Sequence, residues 1–532
     1  MSHLTRRAFL AASAGAAVSA TAFTQLLDTI AAAAKPKGPG GAATPGSGPT
    51  QYAPGTSPWG PLRPVADQHG VEHLALPPGF SYRSFGATGD LMSDGTLTPQ
   101  HHDGMAAFRG PRGTIRLVRN HEINASRGST PVPFPVDGRG APSYDPSAKG
   151  GTVTIDYDPR TGEHRDFVSL TGTIYNCNGG VTHNGKHWIT CEETTHGADN
   201  GRFDRNHGFC FLVPVDATGP VNAQPIVEMG RFNHEAAVVD RRTGIVYLTE
   251  DRYGSACGFY RFVPKHGRDL TRGGTLQMLA IKGQDHYDCR KGQQVGKALE
   301  VRWVTIPEPD AGPDDPGDFS TGFPYSMQLG AVAGQGFAQG AAAFDRLEGA
   351  FAATDGSIFF VSTSGGSAPQ PEPNAFRDAF TGEIYYPGYG QIWQLVPHPS
   401  GHGPDVLRLV YESTGHESLD APDNLTPTPG GGMVICEDDT AWTDDDRHPL
   451  APDVLNPNRL VVINKAGDTF ELAVQLIPQT PDPSKGDSTS VEFAGACFSP
   501  DGDILFVNLY GRGEAGTGRT LAITGPWAQG GC

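Results

Sequence analysis

Short runs of β-branched and aromatic residues recur along the chain, and most of them end in acidic or amide groups. Runs of about 4–8 such residues between turn signals are typical of strands. No sustained apolar period of 3.6 residues follows residue 60. The pattern therefore predicts a chain built mainly of strands. The runs are IRLVRNHE (115–122), KHWITCEE (186–193), IVYLTEDR (245–252), IFFVSTSG (358–365), MVICEDD (433–439) and ILFVNLYG (504–511).

A tight-turn signal precedes each of these runs, and another short strand-like run with a polar start precedes each turn. Each unit is therefore predicted to be a hairpin. In an antiparallel hairpin the start of the first strand lies beside the end of the second strand, so the polar groups of each unit meet at its open end. The first runs are HHDGMAAF, YNCNGGVT, FNHEAAVV, RLEGAFAA, PDNLTPT and EFAGACFS.

Six such hairpins predict an all-β fold, a six-bladed β-propeller, in which radial repetition leaves only short protected edges. The polar residues that mark the hairpin starts lie 58 to 113 residues apart, which exceeds the roughly 40–50 residues of compact blade repeats. Long insertions between blades are therefore expected, and residues 265–340 and 366–390, rich in Gly, Pro and Asp, are the candidates. An unrelated pair of β-sandwiches is the alternative, but it gives no reason for polar ends in all six hairpins.

If the hairpins radiate from one axis, their polar ends converge at one end of the central channel. So many carboxylates repel one another unless cations neutralise them. Ca²⁺, which takes about 6–8 oxygen ligands, suits the carboxylates, whereas a thiolate among them favours a transition metal. The starts carry Asp103, Cys177, Glu235, Glu348, Asp423 with Asn424, and Glu492, and the ends carry Asn120 and Glu122, Glu192 and Glu193, Glu250 and Asp251, and Glu437 and Asp438.

Simpler interpretations exist for the same residues. A single glutamate at a strand end is more often a solvated turn residue than a ligand. Cys177 and Cys191 could form a disulfide that closes a short loop. The pair Gly179 and Gly180 could mark only a bulge or a close approach of two backbones.

The N-terminal residues differ in composition from the strand-forming part of the chain. Arg6 and Arg7 precede a short Ala-rich apolar run, and AAAAKP (31–36) offers small residues for cleavage. This pattern predicts a twin-arginine export signal over residues 1–34, and hence an extracellular, periplasmic or cell-envelope location. Residues 35–58, rich in Pro and Gly, are predicted to be a disordered leader, and residues 59–532 a single propeller domain.

The charge narrows the range of partners. A formal net charge of −18 argues against nucleic acid or an anionic membrane as the main partner. No later run of about 20 apolar residues indicates a membrane span. If the substrate is an anion, a metal or a few well-placed arginines have to hold it. The twin-arginine export machinery, the expected partner of the signal, carries folded cargo, which suits a protein that receives metal before export.

The collected motifs, in this order, resemble those of the PhoX family of exported alkaline phosphatases. The resemblance covers nearly the whole predicted mature chain and implies a six-bladed propeller that hydrolyses phosphomonoesters at a cluster of Fe³⁺ and Ca²⁺. It departs from the family after Cys177, where Asn178 stands in place of the usual alanine, and in the HNGKHW loop (183–188). The motifs are WGPLRP, LTPQHHDGMAAF, LVRNHE, NCNGG with TCEE, GRFNHEAAVVD, YLTEDR, GFYRFVP, RLEG, PDNLTPTPGGGMVICED and EFAGACFSPDGDILFVN.

The resemblance also implies roles for individual residues. Cys177 would bind iron, Glu235 and Glu348 would be bridging or terminal carboxylates, and Arg346 would contact the substrate phosphate, so that Cys177 and Arg346 are the expected catalytic residues. A planar guanidinium can hold two phosphoryl oxygens at once. Whether Glu192 or Glu193 faces inward stays open. The remaining ligands would come from Asn120, Glu122, Glu192, Glu193, Asp423, Asn424, Glu437, Asp438 and Glu492.

Two other functional classes remain. A propeller hydrolase that uses calcium alone, such as a lactonase or a phosphodiesterase, predicts activity that does not depend on Cys177. A non-catalytic calcium-stabilised propeller that binds a wall or matrix ligand predicts tight Ca²⁺ binding without turnover.

Overall fold

The computed structural model describes residues 50–123, 143–222, 224–312, 329–370, 375–398, 403–438, 447–477, 480–482, 487–489, 491–511 and 515–529. The predicted signal (1–34) and the first part of the predicted leader (35–49) lie outside these ranges. The described part contains one α-helix, α1 (Ala331–Phe337). None of its helices is long and apolar enough to cross a membrane.

Five short strands open the described chain. Strands β1 and β2 pair with each other. The next three complete sheets whose other strands come from the C-terminal part of the chain, so the two ends of the described fold are joined by hydrogen bonds. The bounds are β1 (Thr56–Ser57), β2 (Gly60–Pro61), β3 (Arg63–Val65), β4 (Leu74–Leu76) and β5 (Ser81–Phe85).

The first two predicted hairpins each begin an antiparallel sheet, one of four strands and one of three. The four-stranded sheet consists of β6 (His102–Arg109), β7 (Ile115–His121), β8 (Gly150–Tyr157) and β9 (His164–Thr173). The three-stranded sheet consists of β10 (Asn176–Val181), β11 (His187–Glu192) and β12 (Cys210–Pro214).

The third and fourth hairpins belong to one nine-stranded sheet. The described strands therefore do not divide into one separate sheet for each hairpin. The cause lies in the insertion 265–340, where a strand pairs through Leu299 with Leu407 and links the two groups. The nine strands are β13 (His234–Val239), β14 (Val246–Glu250), β15 (Phe259–Pro264), β16 (Gly274–Ile281), β17 (Leu299–Thr305), β18 (Leu347–Ala352), β19 (Ile358–Ser362), β22 (Gln391–Val396) and β23 (Val406–Glu412). Between β19 and β22 the chain forms a separate hairpin of β20 (Phe376–Arg377) and β21 (Ile384–Tyr385).

The last two hairpins take in the N-terminal strands. Strand β4 pairs with the last strand of the fifth group, and β5 pairs with the last strand of the sixth. The fifth group is β24 (Pro422–Pro427), β25 (Met433–Glu437), β26 (Arg459–Ile463) and β27 (Thr469–Gln475), followed by a small hairpin of β28 (Thr480–Asp482) and β29 (Asp487–Thr489); the sixth is β30 (Phe493–Phe498), β31 (Ile504–Leu509) and β32 (Arg519–Thr524).

The first strands of the six hairpins close a ring. Strands β6, β10, β13, β18, β24 and β30 pack against one another in chain order, and β30 packs against β6. The predicted all-β class and propeller-like arrangement are confirmed.

The apolar core fills the wedges between neighbouring sheets. All seven residues of β7 are buried, because both faces of its sheet are covered. Leu117 packs in a cluster with Phe506 of β31, and the next residue, Val118, packs in a cluster with Trp188 of β11. Successive residues of a strand point to opposite faces, so one strand contributes to two wedges and the polar strand ends are left for the axis.

The same irregularity interrupts the first strand of every hairpin. The pairing register shifts so that two residues face one on the second strand, which is a β-bulge. In the first five hairpins the first bulged residue is the polar residue singled out in the sequence, and in the sixth it is glycine. These residues are Asp103, Cys177, Glu235, Glu348, Asp423 and Gly495.

The glycine pair after Cys177 combines a bulge with a close approach of backbones. A methyl group at Gly180 would lie 1.6 Å from the carbonyl oxygen of Ala237 in β13, and one at Gly179 would lie 1.9 Å from that of Ile189. Both neighbours are backbone atoms that cannot move independently of their strands.

We expect Gly180→Ala to lower the free energy of unfolding by about 2 kcal/mol or more, because it forces the second and third sheets apart. Gly219→Ala is the matched control, since no atom lies within 4 Å of a methyl group there. Chemical denaturation of both variants measures the difference. Equal stabilities would show that β10 and β13 are not packed as closely as described.

Candidate active site

The bulged residues meet at one end of the ring of strands. Ligand atoms of Glu235, Glu348 and Asp423 all lie within 4.8 Å of one another, and so do those of Cys177, Glu193 and Glu235. Glu235 is common to both groups, so the two form one continuous cluster. A bulge re-aims a side chain, and its repetition in successive hairpins explains why polar residues so distant in sequence converge.

A second set of residues lies directly after the second strands. The N–H of each donates to the carbonyl oxygen of the residue just before the first strand of the same hairpin. Each such bond fastens the two ends of one hairpin beside the cluster. The pairs are Glu122 with His101 (3.0 Å), Glu193 with Tyr175 (2.8 Å), Asp251 with Asn233 (3.1 Å), Thr363 with Arg346 (2.9 Å), Asp438 with Ala421 (2.9 Å) and Tyr510 with Glu492 (3.3 Å).

Four of these carbonyl-bearing residues have left-handed backbone conformations. Their φ angles are 54° at His101, 48° at Tyr175, 42° at Arg346 and 42° at Ala421. None is glycine, so each position carries backbone strain that the surrounding structure has to hold. Strain repeated at equivalent places around one cluster is typical of a functional site.

The cluster is strongly unfavourable for negative charge. Burial, reinforced by neighbouring carboxylates, raises the pKa of several acids well above the usual range; these are Asp103, Glu193, Glu348, Asp423 and Glu492. The same causes raise the pKa of Glu235 to about 8. Burial also raises the pKa of Glu122 to about 7, although the Tyr510 hydroxyl donates to its carboxylate. Burial and the nearby acids raise the pKa of the Cys177 thiol well above its usual value.

Several buried carboxylate oxygens in the cluster have no hydrogen-bond partner among the described protein groups. Both oxygens of Asp103 and Oε2 of Glu235 are of this kind, and the Cys177 thiol lies beside both carboxylates. Buried polar groups are nearly always paired. Unpaired carboxylates suit hard cations such as Ca²⁺, and the thiol beside them suits a softer metal. The donor set therefore fits the metals that the sequence resemblance implies.

Arg346 is the cation at the rim of the cluster. Its Nε and Nη2 donate to the two carboxylate oxygens of Asp251 (3.1 and 2.8 Å), and Nη2 also donates to Glu348 (2.8 Å). Burial opposes its charge, but Asp251 and Glu348 raise its pKa well above the usual value. Arg346 is half-buried, as are Cys177 and Glu193, so solvent reaches this end of the channel.

The structure does not bring Glu192 and Glu437 into the cluster. The carboxylate of Glu192 accepts hydrogen bonds from His207 Nδ1 (2.6 Å) and from the N–H of Gly208 (2.9 Å). That of Glu437 accepts from Arg459 (2.6 and 2.7 Å). The reason is strand alternation, because each of these glutamates pairs with the first residue of its hairpin while the next residue, Glu193 or Asp438, turns to the channel.

The two predicted amide ligands hold the bulges. Asn120 donates to the carbonyl oxygens of Cys177 (2.9 Å) and Asn178 (2.7 Å), and its own oxygen accepts from Trp188 (2.8 Å). Asn424 donates to Asp423 (2.8 Å) and accepts from the N–H of the sixth bulge, 2.5 Å away. Both amides therefore have protein partners and position the cluster.

Three residues join the site that the predicted ligand set lacked. Asp103 and Asp251 were recognised only as strand ends, and Tyr510, whose ring stacks on His101 at 4.7 Å, was not singled out. Aligning the six hairpins by register would have found all three, since Asp103 occupies a bulge and the other two occupy the position equivalent to Glu193.

Cys191 lies elsewhere than Cys177. Its sulfur contacts that of Cys210 at 3.7 Å in the second sheet, whereas Cys177 lies with the acids of the cluster. The alternative of a Cys177–Cys191 disulfide therefore has no support in the structure.

Comparison with known proteins gives a consistent picture. The family model described as alkaline phosphatase PhoX matches residues 57–158 and 154–513. Among solved structures, PhoX of Pseudomonas fluorescens in complex with vanadate, a transition state analogue, is similar at a TM-score of 0.58 and 17% identity, over 90% of this chain and 99% of that chain. A protein of unknown function from Dyadobacter fermentans is less similar, at a TM-score of 0.40 and 8% identity over 84% of this chain and 100% of that chain.

A search of curated protein sequences gives no match. The solved structures, at this level of identity, bear on the fold alone. The family model carries the assignment, because it spans most of the chain. The protein belongs to the PhoX family of alkaline phosphatases, enzymes that hydrolyse phosphoric monoesters.

Proposed function

We propose that the protein is an exported alkaline phosphatase that releases inorganic phosphate from phosphomonoesters at an iron–calcium cluster in the channel of a six-bladed propeller. The observation that carries the proposal is the convergence of a thiol and buried carboxylates, several of them on strand bulges, with the half-buried Arg346 beside them. Family membership supplies the reaction class.

The six-bladed architecture is supported by the closed ring of six first strands. On this interpretation the nine-stranded sheet contains two blades, which β17 and β23 join at their outer strands. Each blade then supplies one bulge and one strand end to the channel.

The proposed metal ligands follow from position in the cluster. Iron would be held beside Cys177 by Glu235 and Glu193, whose ligand atoms lie together. Calcium would be held by the carboxylates that have no thiol in their group, above all Glu348 and Asp423. Further carboxylates lie close enough to be coupled electrostatically to these residues and complete the set; they are Asp103, Glu122, Asp438 and Glu492.

When bound, such ions supply Lewis-acid activation of the phosphate and of water. The chain itself supplies orientation. Asp251 holds two nitrogens of the Arg346 guanidinium, and Glu348 links that guanidinium to Glu235 and Asp423. Arg346 is thereby fixed beside the cations, where its planar donors can bind phosphoryl oxygens as their charge shifts. A protein with a net charge of −18 needs this local positive charge to hold an anionic ester.

Export is supported by Arg6 and Arg7 before the Ala-rich run, which make the twin-arginine machinery the proposed partner. An extracellular or cell-envelope location also places the enzyme where it meets phosphate esters outside the cytoplasm.

The direct test of function is hydrolysis of p-nitrophenyl phosphate by the metal-loaded protein. We expect Arg346→Lys to lower kcat/KM about 100-fold, because an ammonium cannot replace the two-point hold of the guanidinium. Inhibition by inorganic phosphate should weaken as well. Arg302→Lys, on the surface beside Asp285, is the matched control. Unchanged kinetics of Arg346→Lys would remove Arg346 from the reaction.

The adjacent glutamates of the second hairpin separate catalysis from folding. Glu193→Gln should lower kcat more than about 100-fold, the upper range for residues that merely support metal ligands, with little loss of stability. Glu192→Gln should lower the free energy of unfolding by about 2 kcal/mol, because it weakens hydrogen bonds made to a buried charge, while the folded protein keeps most of its activity. The reverse pattern in activity assays and denaturation curves would contradict the placement of these side chains.

Removal of the metals should reverse the pH dependence of stability. The folded pKa of Glu235 is raised from 4.5 to about 8 and that of Glu122 from 4.5 to about 7. Their contribution to the stability of the metal-free protein is therefore full below about pH 4.5 and is lost as the pH rises through about 7 to 8. Ca²⁺ binds the ionised carboxylates, so its stabilisation should grow over the same range.

Thermal unfolding of chelator-treated and Ca²⁺-loaded protein between about pH 5 and 9 measures this effect. The melting temperature of the metal-free protein should fall with rising pH, and Glu235→Gln should flatten the slope. A metal-free protein whose stability rises over this range would contradict the account of the cluster.

A further inference from the structure

We propose that Cys191 and Cys210 form a disulfide in the exported protein and that this crosslink fixes the loop that carries Glu193. The proposal rests on the proposed export, because a reducing cytoplasm would keep the pair as thiols. It does not depend on which metal the site holds, because neither sulfur belongs to the cluster around Cys177.

The backbone already has the geometry of a crosslink. Cys191 in β11 and Cys210 in β12 are directly opposite each other in the antiparallel register. Opposed residues of such a pair have Cα atoms about 4.5–5.5 Å apart, within the range that disulfides span. The two sulfurs already lie 3.7 Å apart. Small side-chain rotations are sufficient to bring them to bonding distance.

Both cysteines are fully buried in the second sheet. This sheet is the one blade-like unit with three strands among the described groups, and β12 is its outer edge. No further strand of the sheet is described beyond β12, and outside the sheet the carbonyl oxygen of Cys210 accepts from the N–H of Ile226 (2.9 Å). A covalent bond between β11 and β12 would compensate for the missing fourth strand.

The bond would join the two ends of the segment between Cys191 and Cys210, and this segment carries a residue of the candidate active site. Glu193 lies two residues after Cys191 and belongs to the cluster with Cys177 and Glu235. The two ends of the segment are also joined by hydrogen bonds. The N–H groups of Gly208 and Phe209, at its far end, donate to the carboxylate of Glu192 at its start (2.9 and 3.2 Å). A crosslink between Cys191 and Cys210 would therefore help to hold Glu193 in position.

The reaction is thiol–disulfide exchange with an oxidised thiol compound. One cysteine sulfur attacks a sulfur of the oxidant R–S–S–R and releases R–SH, and the second cysteine sulfur then attacks the mixed disulfide and releases the other R–SH. The two thiol protons and two electrons leave with the two R–SH molecules. Both strands are buried, so exchange proceeds through local opening of the edge strand β12.

Peptide mapping of the metal-loaded protein tests the proposal without reference to activity. The native protein is incubated with excess oxidised glutathione, quenched in acid, denatured and alkylated without reduction. We expect a linked peptide pair that joins Cys191 to Cys210 and lacks the alkyl label. Cys289, equally buried but on another part of the fold, is the internal control and should carry the label. Full labelling of Cys191 and Cys210, or a stable glutathione adduct on either, would overturn the proposal.

Thermal unfolding gives a second measurement. Oxidised wild type should melt about 3 °C above the reduced protein, as expected for one disulfide in a chain of this size. The double variant Cys191→Ala with Cys210→Ala should show no such difference, and an equal response of wild type and variant to reductant would count against the crosslink. Retention of the protein in the cytoplasm would refute the proposed export but leave the outcome of the mapping unaffected.

Discussion

The repeated bulge in the innermost strands is the constraint on which the rest of the structure depends. Without the bulge, each of these strands would point its polar residue to one face of its sheet, into the apolar core between neighbouring sheets. The residues are Asp103, Cys177, Glu235, Glu348 and Asp423. One extra residue per hairpin turns them toward the axis. In the sixth hairpin the bulge begins with Gly495, whose N–H is bonded to Asn424 of the fifth. The fifth and sixth bulges are thus tied to each other.

Confinement of these side chains has an electrostatic consequence. Buried acids at such short separations cannot all ionise in the absence of cations, and burial with mutual repulsion raises their pKa values. The fold therefore gathers acidic groups at the end of the channel where the proposed function puts an anionic ester. On the proposed function, bound metals and Arg346 make that end of the channel attractive to phosphate. The confinement of the acidic groups and the proposed binding of substrate therefore both depend on the same strand bulges.

Much of this arrangement follows from the sequence. The six hairpins, the all-β class and the convergence of Cys177, Glu235 and Glu348 were predictable, because turn signals and polar strand starts are local properties. The choice between Glu192 and Glu193 was not, since it depends on the pairing register beyond a bulge. Glu437 lies outside the cluster because its partner, Arg459, comes from the next strand of the sheet, which the local sequence pattern does not show. The link between the third and fourth groups depends on β17, a strand inside a segment rich in turn residues.

On the proposed function, the channel holds iron at Cys177 and calcium at the surrounding carboxylates. The decisive measurement is elemental analysis with a visible absorption spectrum of the purified protein, with Cys177→Ala beside the wild type. We expect stoichiometric iron together with calcium, and a thiolate charge-transfer band that vanishes in the variant. A colourless protein that contains calcium alone, and whose variant behaves like the wild type, would contradict it.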